Sequence, residues 1–331
     1  MNIAHTREYA VAGGTSVHAL ADLSRLAGTG TTDADLGAAL AQIGDPTGET
    51  WRHLFGLCLD LAAPRSLAQL IEHVVSMDPV RFRLVLLGHT AWSWRSIVGA
   101  ETIEQAARGD RRAKNKLLAD DRYYAGVAAE ALPTVLALDA PTTKRLFLGA
   151  LDAYAAGSDP ERLGDELAAA VEHIELLAEH EGWIEAIELV CGYRYLPEPE
   201  ARRVVVLPHL AGPGLLLAQH DDARLIVHGQ SAGPSTHKHI AALGKALADE
   251  SRIQLLAILS ARPHQLGELV DATGLNRSTV HHHLRLLRSA GLVTVEGNAR
   301  AYRYKINKRG RATAIATLSD LFGTTKKGRL T

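Results

Sequence analysis

The chain has 331 residues, with 36 Lys or Arg against 37 Asp or Glu, a formal net charge of -1 and 47% hydrophobic residues. These figures exclude a disordered, charge-rich tail, and the length suits about two domains. Two cysteines, Cys58 and Cys191, are too few for a disulfide-stapled secreted scaffold or a thiolate zinc finger, and no 18-residue uncharged apolar run occurs. The expectation is a cytoplasmic protein that does not enter the membrane.

The near-neutral total hides an asymmetry. Residues 235–331 carry 16 Lys or Arg against 6 Asp or Glu, a balance of +10, which leaves -11 for the rest of the chain. A basic module behind an acidic one points to a polyanion partner for the C-terminal part.

In chain order, residues 1–230 read as a mainly helical sensor or oligomerisation domain. Ser66 is placed to cap a helix carrying Leu67, Leu70, Ile71, Val74 and Val75, and Asp159-Pro160 opens another with a stripe of Leu163, Leu167, Val171, Ile174 and Leu177. Between them, Trp92 and Trp94 share one side if that stretch is extended, and Arg108, Arg111, Arg112, Lys114 and Lys116 form a basic cluster in an acidic setting. Three apolar runs, 204–207, 215–217 and 225–227, are separated by Pro208, Gly212 to Gly214 and Asp221-Asp222, which predicts a small antiparallel β meander. Small and turn-forming residues at 231–236 mark a linker.

Helical spacing returns at 237–247 and 251–260, followed by a short helix at Leu266, Leu269 and Val270 that stops at Gly274. Asn276 then caps a helix running to Ala290. Two alternating segments, 292–296 and 302–306, flank a Gly297-Asn298 turn, and a last helix runs from Arg311 to Phe322 ahead of a basic tail at 324–331. The predicted fold class is therefore mainly α, a helical front domain with a β meander joined to a winged helix-turn-helix at 237–323.

The runs Ala246-Leu-Ala-Asp-Glu-Ser-Arg-Ile-Gln-Leu-Leu256, Leu266-Gly-Glu-Leu269 and Gly274-Leu-Asn-Arg-Ser-Thr-Val-His-His-His-Leu284 stand in register with Leu287-Arg-Ser-Ala-Gly-Leu-Val293. Together they resemble the DNA-binding domain of ArsR-type winged-helix transcriptional regulators. The helical front domain more weakly resembles an N-terminal extension carried by some regulators of this type. The resemblance implies a homodimeric, sequence-specific regulator of double-stranded DNA, most readily a repressor, reading an inverted-repeat operator. It also implies that the last helix pairs with the first helix of the module, here Ile240, Leu243 and Leu247, across a two-fold axis.

At 100° per residue, Val280, Leu284 and Leu287 point one way, while Ser278, His281, His282 and Arg285 point the other. The DNA-contacting candidates are Arg277, Ser278, Thr279, His281, His282 and Arg285, with Arg300 and Arg303 in the wing. Tyr302 and Tyr304 read as hairpin packing. Ile315, Leu318, Leu321 and Phe322 are the dimerisation candidates. Three consecutive histidines splay in 100° steps and cannot share one ion, and His283, nearest the apolar arc, reads as structural. The family's Cys-x-Cys is replaced by Leu266-Gly-Glu-Leu269, and residues 311–322 hold no His. No metal and no cofactor are expected.

The front domain shows no Gly-x-Ser-x-Gly, phosphate loop or His-Glu-x-x-His, and His53, Cys58, His73, His89, Trp92 and Trp94 read first as core or surface residues. Both cysteines read as free core thiols. The expectation is a regulator and not an enzyme, whose front domain either senses an effector, a small molecule being one candidate, or supplies extra dimer surface. Alternatives are an enzyme tethered to DNA by the winged helix and a protein-recruiting module.

Overall fold

The computed structural model describes residues 7–31, 34–43, 51–124, 127–157, 159–212, 214–229, 236–298 and 301–321. The chain forms two compact units, residues 1–176 with 199–231 and residues 177–198 with 232–331. The segment 177–198, expected in the front domain, thus groups with the winged helix. The linker and the basic tail lie outside the described residues, apart from Thr236, which already begins a helix.

The first unit begins with β1 (Glu8–Val11), α1 (Thr15–Thr29) and α2 (Ala34–Ile43), then a 3₁₀ helix (Leu54–Asp60) and α3 (Leu67–Ser76). It continues through α4 (Pro79–Leu86), α5 (Trp92–Val98), α6 (Ala100–Ala107), α7 (Arg111–Ala119), α8 (Val127–Ala137), α9 (Ala140–Gly157) and α10 (Pro160–Glu181), within which the division between units falls. Local chemistry sets several starts. Ser66 caps α3 in a full capping box with Gln69, whereas the side chains of Asp78 and Asp110 accept from the N–H of the third residue of α4 and α7, Arg81 and Ala113.

After α11 (Trp183–Cys191) and β2 (Tyr193–Tyr195) come β3 (Arg203–His209), β4 (Gly214–His220) and β5 (Ala223–Gly229). The strand positions agree with the three apolar runs, but the antiparallel meander is corrected. The sheet order is β1-β3-β5-β4, with β1 parallel to β3 and β3 parallel to β5; only β4 and β5 are antiparallel. Burial explains it. Val204 to Leu207 and Leu225 to Val227 are all buried, and near-continuous apolar strands suit the centre of a parallel arrangement. Trp51, Leu54, Phe55, Phe82 and Phe147 fill the main core with Leu20 and Leu23 of α1. A second cluster joins Trp94, Ile103, Leu117, Tyr123, Tyr124 and Leu132. Trp92 and Trp94 both sit on α5, so the condition of an extended stretch, under which they would share one side, is not met. Trp94 packs into aromatic contacts with His53, Tyr123 and Tyr124, and the Arg224 guanidinium lies 5.1 Å from the ring centre of Trp92.

The second unit holds α12 (Thr236–Leu247), α13 (Glu250–Ala261), α14 (Leu266–Thr273), α15 (Arg277–Ser289), β6 (Val293–Gly297), β7 (Tyr302–Ile306) and α16 (Lys308–Leu321). It is a winged helix-turn-helix, and the chain is mainly α. Beyond the expected hairpin, β2 pairs in parallel with β6, giving the order β2-β6-β7.

Candidate nucleic-acid interface

Two local signals aim α15. Gly274 ends α14 in the left-handed region at φ 67°, and its N–H donates to Val270 O, a turn that a side chain would strain. Two residues on, the side chain of Asn276 accepts from Thr279 N at 2.8 Å and from the Ser278 hydroxyl at 2.7 Å, fixing the first turn of α15.

The helix is then sharply two-faced. Val280, Leu284 and Leu287 are fully buried, while Arg277, Ser278, His281, His282 and Arg285 are exposed and Thr279 is half-buried. An Arg285 guanidinium nitrogen lies 3.3 Å from His282 Nδ1. The exposed set carries cations and hydrogen-bonding groups at the N-terminal end of the second helix of a helix-turn-helix, the part of the motif that reaches base edges in the major groove.

His283 faces inward, with Nδ1 3.4 Å from Arg252 Nη1 and 3.9 Å from Asp249 Oδ1. Arg252, which the sequence reading missed as a site of consequence, is buried. Its guanidinium donates to Ala246 O at 2.8 Å and to Lys245 O at 2.9 Å, closing the end of α12, and its backbone N–H is held by Asp249. The signal was local: Asp249 stands at the cap of α13, three residues ahead of an arginine. The three histidines do not converge. Among the described residues, no group of three or more His, Cys, Asp or Glu could hold a metal ion.

In the wing, Gly297 sits at φ 141°, and a Cβ there would lie 2.2 Å from Ala301 O, so the tip needs glycine. Arg303 is exposed beside it; Arg300 lies outside the described residues. Tyr304 is buried, and burial pushes its pKa up to about 12, while Tyr302 is exposed with its ring 5.8 Å away. Burial lowers the pKa of Arg288, against a smaller opposing pull from Tyr304, Tyr193 and Tyr302.

On α16, Ile315 and Leu321 are 59% and 52% exposed, Leu318 is half-buried, and Phe322 lies outside the described residues. Leu243 of α12 is fully buried in its own unit and is unavailable to a partner; Leu247 is exposed.

The front-domain candidates are not gathered in one place. His53 is buried against Trp94, His89 Nε2 lies 3.0 Å from Glu104, and His73 lies 3.6 Å from Asp60. Burial pushes both thiols, Cys58 and Cys191, up to about 12. No helix among the described residues is long and apolar enough to cross a membrane.

A capped second helix with a polar outer face, followed by a hairpin wing, defines a DNA-binding transcriptional regulator of the winged helix-turn-helix class. Residues 249–295 match the model of the bacterial regulatory protein, arsR family. The chain is 35% identical over 83 residues to the HTH-type transcriptional regulator YgaV of Escherichia coli, covering 25% of this chain and 84% of YgaV. It is 38% identical over 79 residues to the HTH-type transcriptional regulator CmtR of Mycobacterium tuberculosis, covering 24% and 67%. It is also 36% identical over 81 residues to NmtR of the same organism, covering 24% and 64%. The chain belongs to the arsR family through this C-terminal quarter.

Proposed function

We propose that the chain is a cytoplasmic homodimeric repressor that reads an inverted-repeat operator and acts by binding, without catalysis or cofactor. The observation that carries this reading is the division of α15, with Val280, Leu284 and Leu287 inside and Arg277, Ser278, His281, His282 and Arg285 outside. Arg277 and Arg285 are assigned to base edges or adjacent phosphates, and Arg303 to the backbone beside the wing. Exposed Ile315 and Leu321, with half-buried Leu318, supply an apolar stripe that a second copy would cover.

The front unit is assigned the response to a small-molecule effector. A groove of about 530 Å³ between the β1–α1 turn, the Ala63–Ser66 loop and α10 supports this, lined by Thr15, Arg65, Leu167, Val171, Glu172 and Glu175. Genomic footprinting of the tagged full chain tests the proposal. Discrete protected sites with two-fold symmetry, close to regulated genes, support it, and uniform occupancy contradicts it.

A further inference from the structure

The wing is held by a strand from far upstream. β2 lies along the outer edge of β6 in parallel, pairing Tyr193 with Val295, Arg194 with Glu296 and Tyr195 with Gly297. Leu196 N–H donates to Gly297 O at 2.7 Å, the Tyr193 hydroxyl donates to the same carbonyl at 2.9 Å, and the Thr294 hydroxyl donates to Gly192 O at 2.6 Å. Gly297 is the last residue before the wing tip, so two of these bonds converge where the hairpin turns.

The ion pairs lie across the same three strands. Arg194, Glu296 and Arg303 are register partners in one cross-strand row, which puts their side chains on one face of the sheet. Arg194 donates to Glu188 at 2.8 Å and to Glu185 at 3.2 Å on α11, and its Nε lies 3.8 Å from Glu296. Lys305 of β7 bridges Glu188 at 2.9 Å and Glu296 at 3.2 Å. A two-stranded hairpin alone is marginal in water, and an uncovered β6 edge would be a pairing hazard; a third strand answers both.

We propose that α11 and β2 are a wing-positioning element, with Tyr193 and Glu188 fixing the hairpin so that Arg303 meets the duplex in one geometry. This rests on the reading of Arg303 as a wing contact. The element lies outside the matched family region at 249–295. It is also the stretch that the chain inserts into the second unit before returning to the first, with α10 leading in and β3 leading out. The element is thus continuous in the chain with α10 on one side and β3 on the other, and it meets the wing through strand pairing and side-chain bonds.

Glu188→Gln separates positioning from bulk charge by the sign of its effect. Removing an acid from a DNA-binding unit favours a polyanion by charge alone, whereas loosening the brace weakens binding. Fluorescence anisotropy of the full chain on a labelled random-sequence duplex is measured for wild type, Tyr193→Phe, Glu188→Gln, Arg303→Ala and the doubles of Arg303→Ala with each brace variant. Both brace variants are expected to bind about threefold to tenfold more weakly with little change in melting temperature, and to add less than about twofold to Arg303→Ala. Unchanged or tighter binding by the brace variants while Arg303→Ala weakens overturns the positioning role alone, as does full additivity. No effect of Arg303→Ala overturns the wing reading, and the positioning role with it.

Discussion

Nη1 of Arg252 on α13 stands 3.4 Å from Nδ1 of His283 on α15, and the same guanidinium reaches back to close α12 through Lys245 O and Ala246 O. One buried arginine therefore joins three helices and sets the inward side of the recognition helix. Arg252→Ala leaves two carbonyls without this donor and is expected to cost about 2–4 kcal/mol of stability in the second unit. Urea unfolding followed by circular dichroism checks it, and a loss below about 0.5 kcal/mol would show that water replaces the guanidinium at no cost.

Arg285 and Arg303 are both exposed but sit on different elements, α15 and β7, and are proposed to do different work. Arg285→Ala is expected to relax base preference, losing about 1–3 kcal/mol of discrimination at one position of each half-site. Arg303→Ala is expected to weaken all duplexes alike and to lower the steepness of salt dependence by about one phosphate contact. Competition binding against duplexes altered one base pair at a time distinguishes them, and the reverse pattern would exchange the two roles.

Acid is expected to destabilise the first unit. Burial, followed by the neighbouring His228 and His18, lowers the pKa of His209 to about 4, against a smaller opposing pull from Asp22. Burial and then Arg52 lower that of His53 to about 3, against the bond to Gln219 O. Both values lie below the unfolded value near 6.5, so their stabilisation is full above that pH and is lost as pH falls toward 4. The urea midpoint should drop between pH 7.5 and pH 5, with a shallower drop in His209→Gln. A midpoint that does not change with pH contradicts the buried neutral histidines.

Thiol chemistry is not expected to control DNA binding. Cys58 and Cys191 are buried and free, and thiols pushed up to about 12 present almost no thiolate at neutral pH. Mild peroxide, arsenite and micromolar zinc should leave a preformed DNA complex intact. Release by any of them in a mobility shift assay would reveal a sensing route outside these thiols.

The winged helix was legible almost residue by residue, because its signals are local. Asn276 at the cap, Gly274 at the turn and the Val280, Leu284 and Leu287 spacing need only the 3.6-residue period. The sheet of the first unit was not legible. Pairing Glu8–Val11 with Arg203–Val206 joins segments nearly two hundred residues apart, and nothing in a four-residue strand announces its partner. The setting of Trp94 was hidden for a related reason, since Tyr123, Tyr124 and His53, which surround it, lie about thirty to forty residues away in the chain. The three residues of β2 escaped notice because Tyr-Arg-Tyr is too short to register as a strand, although Gly192 in the left-handed region marks the break that precedes it.

The proposed two-fold pairing is tested on α16. Leu318→Glu places a charge on the stripe shared with Ile315 and Leu321 and should yield monomers by sedimentation, with operator affinity reduced at least about tenfold. A variant that remains fully dimeric would move the interface elsewhere.

Selection from a pool of random duplexes by the full chain, read by sequencing, tests the central claim most directly. The account predicts one enriched inverted repeat with half-site centres about 10 base pairs apart, and its loss of enrichment in Arg285→Ala. A pool that stays random, or the same enrichment with Arg285→Ala, would contradict reading of sequence by the exposed face of α15.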